Sequence, residues 1–126
     1  MNALNIQGSQ STPTIIGTWE EGRLFMQGDS YPENSFELFS PVIDWIESYL
    51  KETTAPLQLE LRLVYMNTSS VKAMMDIFDL LEDAHSKGRG VRVSWYYDPQ
   101  NERVLEVADE FRDDCSFPFQ IAADER

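Results

Sequence analysis

Cysteine and histidine are nearly missing from this chain: there is one of each, Cys115 and His85. A lone cysteine excludes an internal disulfide and fits a reducing compartment. One histidine and one cysteine cannot supply an ordinary zinc site. Basic residues are also scarce: ten Lys and Arg stand against 22 Asp and Glu, a formal charge of -12. Such a surface repels phosphate backbones and anionic lipid, which argues against nucleic acid and membrane as partners. No apolar run approaches the ~20 residues of a membrane span. The start, MNALNIQGSQ, lacks the basic and apolar regions of a signal peptide. Neither G-x-G-x-x-G nor a Walker loop occurs. The expectation is an acidic, soluble, cytoplasmic domain with no membrane insertion, no metal and no cofactor.

What is present fits one domain. The length of 126 residues is near the commonest domain size, and 42% hydrophobic content with seven Phe, five Tyr and three Trp can build one core. Residues 1–11 are polar and expected to be loosely held. The stretches 12–19 and 22–31 read as two strands of a hairpin around Glu20-Glu21-Gly22. Asn34 caps a following helix, with Glu37 at capping-box spacing. Pro41 then falls inside the helical pattern, so that either a new helix starts with Ser40 as its cap or the helix kinks.

In APLQLELRLVYM (55–66), Leu57, Leu59, Leu61, Leu63 and Tyr65 alternate with Gln58, Glu60 and Arg62, the pattern of a strand. Val64 and Met66 make its far end apolar on both faces, as expected of a central strand. A long helix runs to about Lys87 and stops at Gly88 and Gly90, followed by the strand VRVSWYY (91–97). A third helix starts near Asn101, and FPFQIAA (117–123) forms a last short strand. The order β-β-α-β-α-β-α-β is that of an α/β domain with a mostly parallel sheet, an N-terminal hairpin and about three helices.

The search for catalytic chemistry finds little. His85 sits near a helix C-terminus, where a positive or polar group caps well. Cys115 follows Arg112-Asp113-Asp114 on the apolar side of the third helix; the carboxylates oppose a thiolate, so a core role is expected. The acidic runs at 20–21, 81–83 and 113–114 have the look of solvated faces. A small carboxylate enzyme would need a convergent nucleophile and base, and none is evident.

Two segments stand out. GDSYPENS (28–35) is a polar loop containing Tyr31, readable as turn and cap or as a functional loop. The second is Asn67-Thr68-Ser69-Ser70, between the central strand and the middle helix. Asn67 or Thr68 serves well as a cap. Yet the first turn holds no acid and does hold Lys72; the first carboxylate is Asp76. Helix N-termini favour negative charge, so a phosphate on Thr68, Ser69 or Ser70 would suit this vacancy. The middle helix also carries more apolar residues than one stripe needs. Met74, Ile77, Phe78 and Leu81 supply a core side, while Val71, Ala73, Met75 or Leu80 face outwards or another helix. Val71, Lys72, Met74 and Met75, with Tyr31, are the candidate partner contacts; methionine adapts readily to such surfaces.

A strand, a short polar switch and a long helix in a domain of this size resemble the STAS domains of anti-sigma-factor antagonists. Those carry Asp-Ser-Ser/Thr-Gly at the helix start; here Asn67 stands for Asp and Ser70 for Gly. STPTI, MQGDSYPENSFELF, LVYMNTSSVKAMMDIFDLLEDAH and FRDDCSFPF more closely resemble, in order and across nearly the whole chain, the SiaC family of bacterial regulatory phosphoproteins. That resemblance implies a non-enzymatic, STAS-like partner switch. It implies phosphorylation of Thr68, within Asn67, Ser69 and Ser70, by a protein kinase, and reversal by a PP2C-type phosphatase. The unphosphorylated form would bind and activate a diguanylate cyclase, raising cyclic di-GMP and promoting biofilm. The alternative it leaves is an anti-sigma-factor antagonist that binds an anti-sigma kinase.

Overall fold

Alternation in the strands decides how the layers stack. A computed structural model describes residues 3–124. It contains β1 (Leu4–Ile6), β2 (Thr14–Thr18), β3 (Arg23–Ser30), α1 (Ser35–Glu52), β4 (Leu57–Met66), α2 (Thr68–Ser86), β5 (Val91–Tyr97), α3 (Glu102–Asp113) and β6 (Phe119–Ala123). The six strands form one sheet in chain order. β1, β2 and β3 pair antiparallel, while β3 through β6 pair parallel. The expected α/β class, hairpin, mostly parallel sheet and three helices are all observed.

Every parallel step moves one strand further in the same direction, so right-handed crossovers place all three helices on one face. The inward rows confirm this. Ile15 pairs with Met26, Met26 with Leu61 and Leu61 with Trp95, and all four are fully buried. α1 covers one end of this row through Phe39, Val42, Trp45, Ile46 and Tyr49. Gly17 is required there, because a Cβ would come within 2.8 Å of the Trp45 ring. α2 and α3 cover the other end: Phe78 meets Phe111 at 4.9 Å, and Phe111 stacks on Trp95 at 5.9 Å. The opposite face is polar. There Glu60 lies between Arg23 and Arg62, Arg62 also pairs with Asp124, and its guanidinium lies 4.5 Å from the Tyr96 ring centroid.

Two expectations need correction, and one open reading is decided. The N-terminal stretch was expected to be loose, but Leu4–Ile6 adds an edge strand against β2, in register Leu4 to Gly17 and Ile6 to Ile15. Residues 1 and 2 lie outside the described residues. Of the two readings left open at Pro41, a new start at Ser40 is not the one observed: a single helix runs through Pro41, whose ring is exposed while Phe39, Val42 and Ile46 anchor the core side. The far end of β4 is not buried on both faces: Val64 and Tyr65 are exposed, where β4 carries one residue more than β3 between Leu63 and Met66 and the inward alternation breaks. Between β2 and β3, Trp19–Glu21 form a single 3-10 turn closed by left-handed Gly22 at φ 62°.

Candidate functional site

The parallel strands β3 and β4 end side by side, and α1 and α2 both begin there. Their starts are joined by hydroxyls and amides. Asn67 is the N-cap of α2, and its Oδ1 accepts from the Ser70 N–H at 2.9 Å. The same oxygen accepts the Ser69 hydroxyl at 3.2 Å. The Asn67 amide nitrogen donates to the Pro32 carbonyl at 3.4 Å, and its backbone N–H donates to the Ser30 carbonyl at 2.9 Å. The segment is thus pinned to the end of β3 and to the turn that follows it.

The three hydroxyls differ sharply. Ser70 is fully buried, and its Oγ shares a 2.7 Å hydrogen bond with the equally buried Ser30. Ser69 is exposed but shares a 2.6 Å hydrogen bond with Ser35 at the start of α1. Thr68 is exposed, and its hydroxyl has no hydrogen-bond partner among the described residues. Of the three candidates, Thr68 alone is both accessible and unengaged. The first turn of α2 contains no acid, as expected. Lys72, four residues after Thr68, reaches solvent and pairs with Asp76 only at 3.8 Å. An exposed pair at that distance holds its lysine weakly.

Residues 28–35, expected as a loop, are the end of β3, a short turn with Tyr31, Glu33 and Asn34 exposed, and the first residue of α1. Gly28 takes a positive φ of 118°, and the β3–β4 register shifts between Gly28 and Ser30. Ser30 keeps the inward phase of Leu24 and Met26 and lies beneath Ser70, while the extra residue falls on β4, where three steps from Leu63 to Met66 match two from Gly28 to Ser30; Asp29 accepts the Tyr65 N–H through Oδ1 at 3.2 Å. Tyr31 follows, exposed, its ring edge-on to Tyr65 with centroids 5.8 Å apart.

The expected partner contacts divide. Lys72, Met75 (49% exposed) and Tyr31 are on the surface, and Val71 is half-buried against the core. Met74 is corrected: it is fully buried, because positions 74, 77, 78 and 81 form the core stripe of α2. Sequence reasoning missed Phe36, 81% exposed in the first turn of α1, and the exposed pair Val64 and Tyr65. The doubly apolar end of the β4 pattern was the available signal, but it read as a second buried face. Of the six exposed large apolar side chains among the described residues, Tyr31, Phe36, Val64 and Tyr65 lie at or beside strand ends and the start of α1, while Met75 lies two turns into α2 and faces α3.

Elsewhere the chemistry is structural. Burial, aided by Glu82, Asp114 and Asp79, pushes the Cys115 thiol up to about 11, where it is a poor nucleophile near neutrality. Glu82 is more than solvated charge: hydrogen bonds from the Ser116 hydroxyl and N–H hold its carboxyl below the usual range. His85 lies in the last turn of α2, edge-on to Phe117. Among the described residues no three His, Cys, Asp or Glu side chains gather as a metal site, and no helix is long and apolar enough to cross a membrane.

Comparison with known proteins gives the family of the chain. The model of the family described as SiaC family regulatory phosphoprotein matches residues 6–124. An uncharacterized protein of Pseudomonas aeruginosa strain UCBPP-PA14 is 64% identical over 123 residues, covering 98% of each chain. The crystal structure of apo-SiaC from Pseudomonas aeruginosa is similar with a TM-score of 0.94 at 63% identity, over 98% of this chain and 100% of that one. A crystal structure of the diguanylate cyclase SiaD in complex with its activator SiaC, from the same organism, contains a chain with TM-score 0.94 and 64% identity, over 96% of this chain and 99% of that one.

Proposed function

Because the chain belongs to the SiaC family of regulatory phosphoproteins, we propose that it is a phosphorylation-switched activator of a diguanylate cyclase. It acts by binding rather than by turnover. A relative 64% identical to it is held by such a cyclase as its activator. The observation that carries the switch is the hydroxyl selection at the start of α2. Ser70 is locked in the core, Ser69 is tied to Ser35, and Thr68 is exposed and unengaged. A protein kinase reaches Thr68 without unfolding the corner, and a PP2C-type phosphatase reaches the product equally well.

The effect follows from solvation. Exposed apolar side chains on the surrounding elements, Tyr31, Val64, Tyr65 and Met75, suit a partner that excludes water. A phosphate on Thr68 brings about −1.5 to −2 charge and three strongly hydrated oxygens. Burying that group beneath an apolar partner without matching donors is costly. The unmodified corner is therefore the activating form and the phosphorylated corner the silent one.

Calorimetry with the purified cyclase tests this. Thr68→Ala is expected to bind like the unmodified protein, and stoichiometrically Thr68-phosphorylated protein at least tenfold more weakly. Thr68→Asp should weaken binding in the same direction but less, since a carboxylate is smaller and singly charged. Equal affinity of the unmodified and phosphorylated forms would sink the switch.

A further inference from the structure

Lys72 is the one lysine or arginine in the segments that meet at this corner. Residues 28–50 and 63–86 hold no other, although the chain carries ten. Its side chain is exposed, and its ion-pair partner is Asp76 at 3.8 Å, four residues further along α2. That partner stands in the weaker order. Residues four apart on a helix face have Cβ atoms roughly 5–6 Å apart, and such a pair is stronger when the acid precedes the lysine. The position that gives the stronger order is 68. It holds Thr68, exposed, with no hydrogen-bond partner for its hydroxyl among the described residues. No acid occupies the first turn of α2.

We propose that Lys72 is the residue that holds the phosphate once Thr68 is phosphorylated. Its ammonium leaves Asp76 and closes on the phosphate from the next turn of α2. The inference rests on the phosphorylation switch given above and assigns the modified residue its partner within the chain. Three differences favour the exchange. The phosphate stands before the lysine, whereas Asp76 stands after it. It carries about −1.5 to −2 charge against a single charge on Asp76, and it offers three acceptor oxygens. The Asp76 pair has little to hold it, because both side chains are more than half exposed. No other cation competes. The charged groups that the end of β3 and the following turn bring to this corner are Asp29 and Glu33, both acids. One modification thereby changes two residues: the phosphate is drawn onto the surface of α2, and Asp76 loses its cation. The lysine balances part of the new charge only, so the corner stays anionic and the switch is kept.

The experiment installs phosphothreonine at position 68 of the full chain during translation, so that neither kinase nor cyclase enters. The parent, Lys72→Gln and Lys72→Arg are compared, each with and without the phosphate. Lys72 is exposed, so every variant should keep the parent's circular dichroism. Phosphorus NMR reads the midpoint of the phosphate's second ionisation. An ammonium at the phosphate favours the doubly charged form and lowers that midpoint. The inference expects Lys72→Gln to raise it by about 0.3–0.5 pH unit at low salt. Lys72→Arg should stay within about 0.1 unit of the parent, and high salt should erase the difference. Asp29, Glu33 and Asp76 are present in all three proteins. Thermal unfolding completes the cycle: phosphorylation should shift the unfolding midpoint of the parent upward by about 2 °C relative to its effect on Lys72→Gln. A merely structural lysine lowers both forms equally and gives no such difference. Equal phosphate midpoints in the parent and Lys72→Gln overturn the contact, as does a midpoint raised equally by Lys72→Arg. Either result leaves the activator reading intact. Full cyclase affinity of the phosphorylated parent instead sinks the switch, while the raised midpoint of Lys72→Gln still establishes the contact.

Discussion

Two hydroxyls facing each other inside a core make a sharp test of why this corner is built as it is. Ser30 and Ser70 are both fully buried and share a 2.7 Å hydrogen bond. The bond contributes little net stability compared with two apolar groups of the same shape, but leaving either partner alone is costly. Ser30→Ala and Ser70→Ala should each destabilise the chain by roughly 1–2 kcal/mol, and the double substitution by clearly less than the sum. Urea denaturation of the four proteins measures the coupling; strict additivity would show that the pair is not a unit. The same bond explains why Ser70 stays out of reach of a kinase. In the sequence all three hydroxyls looked alike, and only the resemblance pointed to Thr68. The distinction depends on what β3 and α1 place opposite each one, namely Ser30, Ser35 or nothing. Those partners are some 34–40 residues away, beyond what local pattern can show.

Among the elements, the helix starts were legible and the exceptional ends were not. Asn34, Asn67 and Asn101 each accept a backbone N–H three residues on, as their positions before apolar periodicity foretold. Local rules sufficed because capping is a local bond. Pro41 broke a local rule without ending the helix. It removes one intrahelical N–H at the seventh position of α1, yet the helix continues because five apolar side chains bury its other face. Tertiary packing therefore holds a position that intrinsic propensity opposes. Pro41→Ala should restore that hydrogen bond and stabilise the chain by roughly 1–3 kcal/mol, read as a rise in the urea midpoint. A fall would mean that the proline fits a local bend the core depends on. β1 escaped notice for the opposite reason: three residues, Leu4–Ile6, are too few to show a period, and only the edge of β2 gives them structure. At the end of β4 the apolar pattern is present, but sequence does not record the extra residue against β3 that breaks its alternation at Val64 and Tyr65.

At the scale of the whole molecule, stacking every helix on one face leaves the other face of a largely parallel sheet to water. Its outward row is closed by charge rather than by a second helix layer: Glu60 takes Arg23 on one side and Arg62 on the other, and Arg62 reaches on to Asp124. Burial works against the Glu60 carboxylate, but hydrogen bonds and charge from Arg23 and Arg62 outweigh it and hold its pKa below the ordinary 4.5. The sign of the consequence is fixed by linkage. A carboxyl whose folded pKa is depressed adds stability above its unfolded value, and that stability disappears as pH falls through the folded value. Glu60→Gln should therefore lower the unfolding free energy at pH 7 by about 1 kcal/mol, a modest figure because the pair is partly hydrated. As the pH falls below the ordinary carboxylate value and the native carboxyl also takes up its proton, the two proteins should converge. Parallel urea titrations at pH 7 and pH 3 measure this. A gap that persists unchanged at low pH would show that Glu60 stabilises the sheet through its packing and not through its charge.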